Sequence, residues 1–101
     1  MRPIHLARLD ESRPVLVLTR ELVRPHLTTV TIAPITSTIR GLSTEILCGP
    51  DNGLDHQCAV ACDHITTIPD ASLGRHIGWL TDDQESELTT AIHAAFDLDL
   101  P

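Results

Sequence analysis

The sequence predicts a mostly β fold, a small barrel or sandwich carrying one helix at its end. Short runs of β-branched and aliphatic residues recur along the chain, separated by Pro, Gly and Asn turn signals. The only strong helix-opening signature comes late, at Thr81-Asp-Asp-Gln. A length of 101 residues suits one domain with one modest core, spanning 1–101.

Residues 3–9, "PIHLARL", alternate loosely and read as a first strand, followed by a polar turn at "DESRP". "VLVLT", 15–19, is a continuous apolar run and reads as a buried strand. "RELVRPHL" reads as a loop or helical turn that Pro25 stops. "TTVTIAPIT", 28–36, is the strongest strand in the chain, with Thr28, Val30, Ile32, Pro34 and Thr36 on one parity. Pro34 has no N–H to give a ladder, so this end is an edge, a bulge or a terminus. "STEILC", 43–48, follows as a strand and "GPDNG", 49–53, as a loop. "CAVAC" and "HITTI", 58–62 and 64–68, read as two short strands or one bent one. After a turn at "PDASLG", "HIGWL", 76–80, is the last strand. The helix then opens with Thr81 as its cap, Gln84 at its third position and two Asp facing its dipole. Leu88, Ala91, Ile92, Ala95 and Phe96 form its apolar stripe.

Charge and composition narrow the function. The net charge of −7 argues against indiscriminate nucleic-acid binding. It is unevenly spread: residues 1–40 hold six of the seven Arg against three acids, and the rest of the chain holds one Arg against eleven. Every basic residue is Arg, whose planar fork matches phosphate. With one Trp, one Phe and no Tyr, the chain lacks the usual rings of an RRM-like or OB-like reader. No stretch approaches a membrane span and no secretory signal opens the chain. Three cysteines without framework spacing fit a reducing cytoplasm.

"DHQCAVACDH" offers His56, Cys58, Cys62 and His64 as a zinc set. On a strand, however, Cys58 and Cys62 stand roughly 13 Å apart. Two thiolates on one zinc must each lie about 2.3 Å from it. Strand and metal exclude each other, and the apolar "AVA" filling favours the strand with buried cysteines. The six His fall in no recognisable catalytic frame, and "DDQESE" reads as helix N-terminal charge. Two features remain: Arg13-Pro14 leading into an apolar run, and the hydroxyls Thr36, Ser37 and Thr38 before Arg40. Taken singly, strand-edge solvation and turn capping account for both.

Taken together, "SRPVLVLTREL", "TVTIAPITSTIRGLSTEI", "CAVACDHITTIP" and the helix after "GWLTDDQ" resemble the MazF/PemK toxins of toxin–antitoxin systems, over about residues 3–98. The order and spacing of these pieces carry the resemblance more than any one motif. The chain departs from the family in its opening: the first strand lacks aromatics, and the loop before Arg13 is short. The resemblance implies an SH3-like PemK/MazF β-barrel with a C-terminal α-helix. It implies a cytoplasmic homodimer and a metal-independent endoribonuclease that needs no cofactor and cuts single-stranded RNA at short sequences. It also implies neutralisation by a cognate MazE-type antitoxin. The family's catalytic Arg and Thr match Arg13 and Thr36; Ser37, Thr38 and Arg40, adjacent to them, are the expected RNA contacts. The rival readings are a non-catalytic SH3-like binding module and a CcdB-like gyrase inhibitor, neither of which needs the Arg13–Thr36 pair.

Overall fold

In the computed structural model, which describes residues 2–98, seven strands form one strongly curled sheet and a single helix packs against it. The strands are β1 (Arg2–Arg8), β2 (Ser12–Val17), β3 (Thr29–Thr36), β4 (Glu45–Cys48), β5 (Cys58–Ala61), β6 (Thr66–Pro69) and β7 (Leu73–Leu80), followed by α1 (Asp82–Ala95). Their spatial order is β4-β5-β3-β2-β1-β7, with β6 also paired to β3. The sheet is a half-barrel with β4 and β7 at its ends.

β3 is the hinge of this arrangement. On one edge it pairs with β2; on the other its first half pairs with β6 and its last two residues pair with β5. Pro34 falls where that second edge changes partner, between Ile32↔Thr66 and Ile35↔Val60, so its missing N–H costs little. The burial parity changes with the partner. Val30 and Ile32 are buried with Val15, Val17 and Ile68 on one face. Ala33 and Ile35 are buried with Leu16, Val60, Leu80, Leu88 and Ala91 on the other, beneath the helix.

Several elements differ from the sequence expectation. β2 begins at Ser12 and ends at Val17, so Arg13 lies inside the strand and not ahead of it. Pro25 does not stop a turn; it sits at the opening of a 3-10 turn, Arg24–His26, where its fixed φ fits and no N–H is needed. β4 is shorter than expected, and a 3-10 turn (Pro50–Asn52) organises the loop after it. Residues 58–68 are two strands separated by a 3-10 turn, Cys62–His64, because they serve different halves of β3. β7 starts at Leu73, pairing three residues earlier with β1 through two register shifts. The helix cap forms as expected: Gln84 N donates to Thr81 Oγ1 at 3.3 Å and Thr81 N to Gln84 Oε1 at 2.9 Å. Leu88 and Ala91 are buried, but Phe96 lies at the C-cap and is exposed.

No ladder joins β4 to β7 among the described residues. The gap is bridged by side chains instead. Asn52 donates to Trp79 O (2.9 Å) and Gln84 Oε1 (2.6 Å) and accepts from Gly49 N (3.0 Å), while Gln84 donates to Leu47 O (3.1 Å). Backbone also presses on backbone here: a Cβ on Gly78 would lie 1.7 Å from Asn52 O.

Candidate active site

The register of β2 with β3 builds the site. Val15 opposes Pro34 and Leu16 opposes Ala33. Carried two residues further, the same register sets Arg13 opposite Thr36. Directly opposed residues of an antiparallel pair project to one face. Both therefore lie on the Val15–Val17 face, just past the rim of its apolar cluster. There a cleft of about 270 Å³ opens, lined by Arg13, Pro34, Thr36, Thr38, Arg40, Leu42, Thr44, Glu45, Ala61, Asp63 and His64.

Arg13 is half-buried. Its Nη2 meets Glu11 Oε1 at 3.1 Å and its Nε lies 3.7 Å from Asp10 Oδ1. That Nε is shielded from solvent yet makes no hydrogen bond. The guanidinium thus keeps donor capacity for an incoming anion. Thr36 Oγ1 accepts from Thr38 N at 3.1 Å, which fixes the hydroxyl by a local turn. Its own O–H remains free to donate into the cleft.

The loop after β3 is shaped by a carboxylate. Glu45 accepts from Arg40 N (3.2 and 3.3 Å) and from Leu42 N (3.0 Å), around Gly41 at φ +73°. This folds the loop so that Thr38 and Arg40 line the cleft. On the far wall Thr44 Oγ1 donates to Asp63 Oδ2 at 2.6 Å. Of the expected residues, Arg13, Thr36, Thr38 and Arg40 come together; Ser37 is exposed and does not line the cleft.

Glu45, Thr44, Asp63 and His64 were not foreseen as cleft residues. The cross-strand pair Glu45↔Ala61 brings two of the walls together, and that pairing is long-range information. The only local signal was the break in "CAVACDHITTIP", which turns Asp63 and His64 out of the ladder. The cysteines Cys48, Cys58 and Cys62 are free and buried. Burial, with the Cys58 thiol nearby, pushes Cys48 up to about 12; burial and Asp63 push Cys62 up to about 11. Both stay protonated at neutral pH and make poor metal ligands. Among the described residues no His, Cys, Asp and Glu cluster is arranged to hold a metal ion.

Comparison with known proteins adds a second line. Residues 4–96 match the family model described as PemK-like, MazF-like toxin of type II toxin–antitoxin system. The chain is 60% identical over 99 residues to Endoribonuclease MazF3 of Mycobacterium tuberculosis (strain CDC 1551 / Oshkosh), covering 98% of this chain and 96% of that protein. Its fold superposes on the Mycobacterium tuberculosis toxin MazF-mt6 with a TM-score of 0.96 at 58% identity, covering 98% of this chain and 100% of the other. A second solved structure, an endoribonuclease in complex with its cognate antitoxin from a mycobacterial species, matches with a TM-score of 0.87 at 25% identity, over 98% of this chain and 95% of that one.

Proposed function

The chain belongs to the PemK-like, MazF-like toxins of type II toxin–antitoxin systems and is an endoribonuclease, and we propose that it cleaves single-stranded RNA in the cleft between β2 and β3. The observation that carries this reading is the single cleft that Arg13 and Thr36 both line, together with Thr38 and Arg40.

The RNA supplies its own nucleophile. The 2′-OH attacks the adjacent phosphorus and gives up its proton as the bond forms, the bond from phosphorus to the 5′-oxygen breaks, and that oxygen gains a proton, so the products are a 2′,3′-cyclic phosphate and a 5′-OH end. Negative charge grows on the non-bridging oxygens as the 2′-oxygen adds. Arg13 meets that charge with its guanidinium donors, the phosphate replacing the carboxylates of Asp10 and Glu11 that flank the guanidinium. Thr36 donates its free O–H to the same phosphate and helps hold the chain in line. Thr38 and Arg40 contact the flanking backbone, and Ser37 reaches RNA only beyond the rim.

The active form is a cytoplasmic homodimer neutralised by a MazE-type antitoxin. A groove between the β3–β4 loop and α1 exposes Ile39, Leu42 and Leu47, apolar anchors suited to a protein partner. The Arg-bearing cleft suits an acidic segment of that partner, which competes there with RNA. No helix of the described residues is long and apolar enough to cross a membrane.

The test is to incubate single-stranded RNA with the protein in excess EDTA and map the new ends. Cleavage leaving 5′-OH ends is expected. Ends carrying 5′-phosphate, or a chelator-sensitive reaction restored by a divalent ion, would overturn the mechanism.

A further inference from the structure

We propose that His5, His76 and Trp79 form a stacking platform for an unpaired base of the RNA, on the same sheet face as the cleft. This rests on the reading of the cleft as the cleavage site and adds where the neighbouring nucleotide is held.

The three rings lie together. The His5 and His76 centroids are 5.2 Å apart, and His76 meets Trp79 at 4.5 Å in an edge-on contact. Trp79 is 43% exposed, so a ring surface remains open to solvent. Register shifts in the β1–β7 ladder make the arrangement possible. An unbroken strand would send residues three apart to opposite faces, whereas here His76 and Trp79 share one.

The platform belongs to the same cross-strand row as the cleft. His76 opposes His5, His5 opposes Val15, and Val15 opposes the cleft residue Pro34. At the spacing of neighbouring strands, His5 lies about 10 Å and His76 about 14 Å from Pro34 along the sheet. That is within the reach of nucleotides flanking a phosphate bound at Arg13.

The platform is also held rigid. His5 Nδ1 faces Gly74 O at 2.9 Å. A carbonyl only accepts, so Nδ1 carries the proton and the ring is oriented by that hydrogen bond. The Trp79 backbone is pinned by Asn52 through its carbonyl. Arg8 and Arg75 line a separate groove along β1 and β7 with Ser12 and Ser72, which none of the three rings enters. Imidazoles and indoles both stack on unpaired bases, and such stacking tolerates any sequence. Scarcity of Phe, Tyr and Trp thus leaves room for a small platform in which His supplies two of the three rings.

Trp79 is the only Trp in the chain, so its fluorescence reports this site directly. The probe is a short single-stranded RNA that the full-length protein cleaves, carrying one 2′-deoxy substitution at the cut position. We expect saturable quenching with the midpoint seen by anisotropy of the labelled RNA. Trp79→Ala and His76→Ala should each weaken RNA binding and raise KM about tenfold, and Trp79→Phe should restore most of the loss. Melting curves identify a variant that merely misfolds, and His76→Ala then stands as the independent arm. RNA binding that leaves Trp79 emission unchanged overturns the platform, as does an unchanged KM in both folded Ala variants. Emission that shifts on dilution of the protein but not with RNA assigns the face to a protein partner and also overturns it. If the wild-type protein cuts no RNA, the reading of the cleft falls and the platform falls with it.

Discussion

The cleft and the seam between β4 and β7 use similar polar chemistry to opposite ends. In the seam, Asn52 is buried and both ends of its amide are hydrogen-bonded, to Gly49, Trp79 and Gln84. Nothing is left over for a ligand. In the cleft, Arg13 Nε is shielded and unbonded, and the Thr36 hydroxyl has its oxygen engaged but its proton free. The loop is shaped by Glu45, which spends its carboxylate on backbone and leaves the Arg40 side chain to line the cleft. A satisfied buried network fixes a fold, whereas residual donor capacity around an open cavity binds an anion.

The largest effect that tests this contrast is on catalysis. Arg13→Ala and Thr36→Ala should each lower kcat/KM for RNA cleavage by roughly 10²–10³-fold, as loss of a transition-state donor does. The melting temperature should move little, because neither side chain is part of the core clusters. A variant that still cleaves within a few-fold of wild type removes that residue from the proposed site.

Gly78→Ala should do the reverse. The added Cβ would meet Asn52 O at 1.7 Å and its carbonyl carbon at 2.6 Å, both backbone atoms that cannot swing aside. Opening the seam should cost about 3 kcal/mol by denaturant unfolding. Gly41 is a useful control: its φ is +73°, but a Cβ there meets nothing within 4 Å. Gly41→Ala should therefore carry only the backbone strain, about 1 kcal/mol. Equal losses at the two positions would mean that the close approach at Gly78 is not what the seam depends on.

Asn52→Ala leaves Gly49 N and Trp79 O without their side-chain partner. We expect about 2–3 kcal/mol lost in equilibrium unfolding, with cleavage by the remaining folded fraction retained. A folded variant that loses cleavage as severely as Arg13→Ala would dissolve the distinction between the two regions.

What could be read from the sequence follows from how local each feature is. The helix was legible to its cap, because Thr81 and Gln84 satisfy each other within one turn. The strands were legible in kind from their β-branched content but displaced at their ends, as at Ser12 and Leu73, where pairing partners decide the limits. Arg13 and Thr36 stand out in the sequence through ordered motifs, not through any local frame, and that they line one cleft depends on the long-range pairing of β2 with β3. Glu45 looked like an ordinary strand residue; only the chain reversal at Gly41 gives its carboxylate two backbone amides to hold. The seam was invisible for the same reason. "GPDNG" signals a turn, but nothing local says that its Asn reaches a helix 32 residues away.

The smallest effect concerns the ion pair beside the seam and its response to pH. Arg2 donates through Nη2 to Glu85 at 2.5 Å and through Nη1 to Leu18 O at 3.0 Å, tying the start of β1 to the residue that follows β2 and to the first turns of α1. The hydrogen bond from Arg2, aided by its charge and opposed by partial burial, holds the Glu85 carboxyl below its ordinary value. A carboxylate whose pKa is depressed in the folded state stabilises the fold above its unfolded pKa. That contribution is lost as pH falls through the folded value. Both side chains are partly exposed, at 27% and 40%, so the pair contributes at most about 1 kcal/mol. Glu85→Gln should therefore melt slightly below wild type at pH 7. The two melting curves should converge as pH falls below the ordinary glutamate range of about 4.3, where wild type loses its advantage and the variant has none to lose. RNA cleavage at pH 7 should stay within about twofold, since this pair lies outside the cleft. Melting curves that run parallel across that pH range would show that the Arg2–Glu85 contact does not contribute to the stability of the fold.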